Sequence, residues 1–166
     1  MRRPTALVIL ALALAGQAAA DGAGPALDLI PPIDGPIARH FDEPAGPYAP
    51  GHRGIDFDAP AGSPVVAAAT GTVAFAGRVG ESLFVSIDHP DGSRTTYSFL
   101  SAVEATAGQA VAQGEEVARS GSGHPGSADP PHLHFGLRRG DLYLDPEPVL
   151  LAGFRRDLSR VVSLSA

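Results

Sequence analysis

Apolar positions along this chain recur in short runs, not at helical spacing. From Ile37 onward the runs are broken by clusters of Gly, Pro, Asp and Ser. Val65 to Ala69, Thr72 to Ala76, Leu83 to Asp88, Arg94 to Leu100, Glu116 to Arg119 and His132 to Arg138 are of this kind. Short punctuated runs predict the strands of an all-β domain. Ser82 to Asp88 alternates in part, with Leu83, Val85 and Ile87 on one face and Phe84 on the other. Asp91-Gly92 separates that run from Arg94 to Leu100 and predicts a hairpin. His40 precedes Phe41 in a candidate edge strand. Helical periodicity is scarce. Pro146 to Ala152 fits one or two turns, and Arg155 to Val162 fits a helix, a strand or a loose tail. No repeat of solenoid length is present.

The ends of the chain read differently. Arg2 and Arg3 precede an apolar run from Ala6 to Ala15, and Ala18, Ala19 and Ala20 follow. That is the layout of a signal peptide over residues 1–20, cut before Asp21. The run is too short to span a bilayer, which takes about 20 apolar residues. The expectation is therefore a secreted protein, periplasmic or extracellular, with no stable membrane insertion. Residues 21–36 are rich in Gly, Pro and Ala and read as a flexible leader. A single domain is expected over 37–152, with a C-terminal tail over 153–166.

Composition removes several classes of function. There is no cysteine, so no disulfide framework or thiolate metal site. All twelve basic residues are arginine, and without lysine no Lys-linked carrier chemistry is available. That matters because Gly108 to Val117 has the cadence of a lipoyl- or biotinyl-type barrel. Removal of residues 1–20 leaves ten arginines against eighteen acidic residues, a net charge of −8. An acidic chain with scattered arginines is a poor partner for nucleic acid.

The histidines carry the candidate chemistry. His52 and Asp56 lie in Gly51-His-Arg-Gly-Ile-Asp56. Along a straight strand they would stand roughly 13 Å apart, too far for one metal. Gly51, Gly54 and nearby prolines oppose a helix. A loop bending at Gly54 and entering a strand at Ile55 lets an imidazole and a carboxylate converge. Arg53, between His52 and the bend, is by default a surface residue, with orienting Asp56 or meeting a substrate carboxylate as the functional alternatives. His132 and His134 lie in Pro131-His-Leu-His-Phe-Gly136. On a strand they share a face, about 7 Å apart, while Leu133 and Phe135 face the core. Both can address one site, one as ligand and one as acid/base. Three protein ligands with a fourth position left to water make the pattern of a catalytic zinc, which acidifies that water and polarises a carbonyl.

These segments, in order, resemble the lysostaphin-type (LytM-type) zinc metalloendopeptidase family of bacterial cell-wall hydrolases. "H-x-G-I-D" stands at His52 to Asp56 and "A-G-S-P-V-V-A-A-A-T-G-T-V" at Ala61 to Val73. "V-S-I-D-H" follows at Val85 to His89, "T-x-Y" at Thr95 to Tyr97 and "G-Q-A-V-A-Q-G-E-E-V" at Gly108 to Val117. "H-L-H-F-G" stands at His132 to Gly136 and "D-P" at Asp145-Pro146. The resemblance spans roughly Ile37 to Leu151. It implies a small antiparallel β-sandwich or barrel-like domain with a groove. It implies Zn2+ on His52, Asp56 and His134, with His132 as catalytic acid/base. One departure stands out. The family resembles "T-x-Y-x-H-L" where this chain has Thr95-Thr-Tyr97-Ser-Phe99-Leu100. Phe99 stands where a second catalytic histidine is expected, and losing one such donor costs on the order of 10²–10³ in rate. Tyr97, Phe99 and His124 are the remaining groove candidates: Tyr97 either faces the groove or packs in the core, and His124 either rims the groove and partly replaces the absent histidine or is a solvated loop residue.

The resemblance implies a zinc metalloendopeptidase that hydrolyses peptide cross-links of peptidoglycan, with zinc-bound water as nucleophile; the signal peptide makes it a secreted one, and a monomer is the expectation. Its partners would be peptidoglycan peptide stems or cross-bridges. Phe99 supports an alternative, a weak or inactive zinc-binding domain that binds the cell wall or activates a hydrolase.

Overall fold

The structure, a computed structural model, describes residues 27–46, 49–126 and 128–150. The expected signal peptide and C-terminal tail lie outside the described residues. Ten strands form one antiparallel sheet that is not closed. They are β1 (Ile37–Arg39), β2 (Ile55–Asp58), β3 (Pro64–Val66), β4 (Gly71–Val79), β5 (Ser82–Asp88), β6 (Ser93–Val103), β7 (Ala110–Val111), β8 (Glu116–Ser120), β9 (His132–Arg139) and β10 (Leu142–Leu144). The main order is β1-β2-β9-β6-β5-β4-β7; β10 pairs with β9, and β8 with β3 and β6. A single helical turn at 147–150 carries Leu150 into the core. No helix among the described residues is long and apolar enough to cross a membrane.

Pattern and structure agree along the long strands. Val85 and Ile87 of β5 are fully buried, as are Leu133 and Phe135 of β9. The β5–β6 hairpin turns at Asp91-Gly92. There the Asp91 carboxylate accepts from the Ser93 N–H at 3.0 Å and from its hydroxyl at 2.6 Å. Gly92 takes the left-handed φ of 82° that such a turn asks of glycine.

Residues 27–36 correct the reading of 21–36 as a flexible leader. Leu29 and Ile33 are buried in the core. The Ile30 N–H donates to the Ala68 carbonyl at 2.9 Å, and the Val66 N–H to the Pro32 carbonyl at 2.8 Å. The Gln113 amide donates to the Asp28 and Ala68 carbonyls at 2.8 and 2.9 Å, tying strap to sheet. Two apolar side chains among Gly and Pro are enough to anchor an irregular segment, because burial needs no periodicity. Leu29→Ala is expected to lower unfolding free energy by about 2–5 kcal/mol, as for other buried Leu→Ala changes. Denaturant titration checks this, and an unchanged midpoint would mean the strap is loose.

Candidate metal centre

Strand register sets one face of the sheet apart. Asp56 lies opposite His134 and Asp58 opposite His132 in the β2–β9 pair. Ser98 of β6 lies on the other side of His134. Directly opposed residues share a face. The opposite face holds Ile55, Phe57, Leu133 and Phe135, all buried. Phe135 packs its ring against Phe57 and Tyr97, with centroids 6.4 and 5.4 Å away. Apolar residues thus anchor each strand from behind, and the polar ones face outward together.

His52 arrives from a loop. Asp42 and His52 exchange backbone hydrogen bonds of 3.0 and 2.8 Å, and the chain then bends at Gly54. A Cβ at Gly54 would lie 2.3 Å from the Phe135 carbonyl oxygen and 2.9 Å from Cε1 of His134. Only glycine lets the His52 loop lie this close to β9. Arg53 holds the loop's outer side, donating to the Ala49 carbonyl at 3.1 Å, with its guanidinium 5.8 Å from the Tyr143 ring centroid.

The three expected ligands converge. Nε2 of His52 lies 3.0 Å from Oδ1 of Asp56 and 3.1 Å from Nδ1 of His134. Nδ1 of His134 lies 2.8 Å from the same Asp56 oxygen. Nδ1–H of His52 donates to the His40 carbonyl at 2.7 Å, so the neutral ring turns its Nε2 lone pair to the centre. Two imidazole nitrogens and a carboxylate oxygen meeting at about 3 Å form a set of groups that could hold a metal ion. Nitrogen and oxygen ligands about 2.0–2.2 Å from zinc would stand about 3.3 Å apart in a tetrahedron. The observed triangle fits such an ion with a small expansion. Burial pushes the Asp56 carboxyl up, but the His134 and His52 rings, when they carry a proton toward it, donate to it and attract its charge, and these effects outweigh burial and hold it below the usual carboxylate range. Asp56 is therefore an anion at neutral pH.

His132 is placed beside this centre but not in it. Its Nδ1–H donates to the Pro130 carbonyl at 2.8 Å, which leaves Nε2 as a basic lone pair. A Cβ at Gly123 would lie 2.5 Å from Cε1 of His132, so this loop glycine lies against the ring. Asp56 and His132 both line a cleft of about 420 Å³.

Phe99 sits among the histidines. Its ring centroid lies 5.2 Å from His124, 5.8 Å from His132 and 6.0 Å from His134. Its φ of 63° is the one left-handed non-glycine value among the described residues. The expectation of Phe99 and His124 near the site is met in position. His124 is exposed on a loop, its Nδ1 on its neighbour's carbonyl at 2.9 Å, and its ring meets that of Phe99.

Tyr97 is the correction. It is fully buried on the core side and does not line the groove. Its hydroxyl accepts from the Ala68 N–H at 2.8 Å and meets the Thr95 hydroxyl at 3.2 Å. Burial pushes its phenol up to about 12. The Thr95 hydroxyl in turn meets Nε2 of His89 at 2.9 Å, and Nδ1–H of His89 donates to the Thr70 carbonyl at 3.0 Å. His89, which follows β5, is thus part of a buried polar chain. The carbonyl of His40, which orients His52, had no signal in the sequence, because a backbone group carries none.

The profile of peptidase family M23 matches residues 50–146. The chain belongs to peptidase family M23. Among M23 relatives it is 40% identical over 101 residues to the DD-carboxypeptidase/endopeptidase Mpg of Neisseria meningitidis, covering 60% of this chain and 23% of that one. Its fold is similar to lysostaphin from Staphylococcus simulans, with a TM-score of 0.63 and 28% identity over 73% of this chain and 52% of that one. It is also similar to a zinc-containing peptidase from Vibrio cholerae, with a TM-score of 0.60 and 26% identity over 72% and 39% of the two chains. The chain spans less than half the length of the curated relatives it matches.

Proposed function

We propose that this M23 chain is an exported zinc metalloendopeptidase that hydrolyses peptide cross-links of peptidoglycan. The observation that carries the reading is the convergence of His52 Nε2, Asp56 Oδ1 and His134 Nδ1 beside a cleft that His132 also lines. A zinc ion held there would acidify a water and polarise the scissile carbonyl. His52 is oriented for this by the His40 carbonyl, the kind of outer partner that fixes a ligating imidazole. His132, with Nδ1–H tied to Pro130, takes a proton from the attacking water at Nε2 and returns it to the leaving amine. Family membership and the zinc-containing Vibrio cholerae neighbour support the metal and the substrate class.

A second reading has its own observation. The Phe99 ring offers no hydrogen-bond donor where it faces three histidines. On that reading the domain binds cell wall or activates another hydrolase. The test is release of new amino termini from purified peptidoglycan by the zinc-loaded protein, with and without chelator. Chelator-sensitive release supports the enzyme; wall binding without release, in zinc-loaded protein, overturns it. For export, the mature protein is expected to begin at Asp21, in periplasm or medium, as a monomer.

A further inference from the structure

We propose that the Ser98 hydroxyl is a catalytic hydrogen-bond donor of the metal centre, aimed at the carbonyl oxygen of the scissile bond as negative charge develops there. The proposal deepens the peptidase reading and rests on it.

Four serines and threonines are buried among the described residues: Ser93, Thr95, Ser98 and Ser120. Three of them have partners. Ser93 donates to the Asp91 carboxylate at 2.6 Å, Ser120 donates to the Pro60 carbonyl at 2.8 Å, and Thr95 meets Nε2 of His89 at 2.9 Å. Ser98 is only 4% exposed, yet among the described residues its hydroxyl has no hydrogen bond. No fully enclosed side-chain oxygen or nitrogen among the described residues lacks a partner, so the small exposure of Ser98 reaches its hydroxyl oxygen. A buried hydroxyl without a partner is unfavourable, and alanine would fill the place without that penalty.

Register gives the direction. Ser93, Thr95 and Tyr97 of β6 are buried on the core side, so Ser98 falls on the other face. There it lies directly opposite His134 of β9, and His134 lies directly opposite Asp56 of β2, with no register shift between these positions. Directly opposed side chains have Cβ atoms about 4.5–5.5 Å apart. Ser98 therefore stands beside the metal cluster. On its other side it faces Phe84 of β5. The Phe84 and Phe99 ring centroids lie 6.3 Å apart, and Phe99 lies 6.0 Å from His134. These phenyl neighbours have no donor to give, which leaves the hydroxyl as the donor at this wall. Its acceptor is supplied from outside the chain, and the anionic oxygen that amide hydrolysis makes is that of the attacked carbonyl. Ser98 keeps its proton throughout and donates a hydrogen bond only, while His132 moves the proton of the attacking water. A donor aimed at developing charge acts on rate and leaves metal affinity alone. Phe99→His then adds a second donor to the first.

The experiment reads binding, by calorimetry on the zinc-loaded full chain and on zinc-loaded Ser98→Ala. Two probes are compared. Acetohydroxamate offers the metal anionic oxygen; ethanethiol offers it sulfur and no oxygen acceptor. Ser98→Ala is expected to bind acetohydroxamate about 10–100-fold more weakly, as loss of one hydrogen bond to a charged group allows. Its ethanethiol affinity, zinc content and denaturant midpoint are expected to match those of the natural chain. Equal acetohydroxamate affinity in the two proteins, or no binding to either, overturns the donor. An equal loss for both probes, or a fall in zinc content or midpoint, makes the hydroxyl structural and also overturns it. Release of amino termini is measured separately. A chain whose acetohydroxamate binding depends on Ser98 but which never cuts loses the peptidase reading. One that cuts as fast with Ser98→Ala as without it loses only the donor.

Discussion

Phe99→His is expected to raise release of amino termini from peptidoglycan on the order of 10²–10³-fold, the usual worth of one donor aimed at developing negative charge. The backbone is ready for the exchange. Phe99 holds a φ of 63°, and bulky residues there are strained by about 1–3 kcal/mol. Histidine visits this region several-fold more readily than most side chains. The ring would start about 6 Å, centroid to centroid, from both His132 and His134, where the phenyl ring now lies. An imidazole there brings an N–H to the same wall of the site. The rate is compared at equal zinc content. No gain in a folded, zinc-loaded variant would mean that the phenyl ring is not what limits turnover.

His132→Ala is expected to lower the same rate by about 10²–10⁴-fold, the range for loss of a positioned acid/base. Both the natural chain and Phe99→His serve as backgrounds, so that a slow natural rate does not hide the effect. Zinc content is expected to stay at the level of the parent. The reason is geometric: three other atoms already meet at 2.8–3.1 Å, and His132 turns Nδ1–H away to Pro130. Loss of zinc in this variant would make His132 a ligand instead. An unchanged rate would remove it from the chemistry.

The long strands and the clustering of His52, Asp56 and His134 were legible because they rest on period and residue type. His-x-His on an alternating strand leaves little freedom: both imidazoles face one way and Leu133 and Phe135 the other. Gly54 marked the bend that brings His52 to Asp56, and the reason is now specific, since a side chain there would strike β9. Three features were not legible. The strands β1, β7 and β10 are only two or three residues long, too short to show a period. The strap at 27–36 is held by two apolar residues and by backbone hydrogen bonds, which leave no pattern. Tyr97 is the third. In a regular strand Tyr97 and Phe99 would share a face, so a groove role for one suggests the other. The register of β6 shifts near Leu100, and Phe99 turns left-handed. That break sends Phe99 to the histidines and leaves Tyr97 against Phe135 in the core.

The central claim is one zinc ion on His52, Asp56 and His134. Metal content of the purified full chain, dialysed against buffered zinc, tests it most directly. One zinc per chain is expected for the natural protein and for His124→Ala, and close to none for His134→Ala with the β-sheet signal of its circular dichroism retained. A folded His134→Ala protein that still holds a full equivalent of zinc would contradict the assignment.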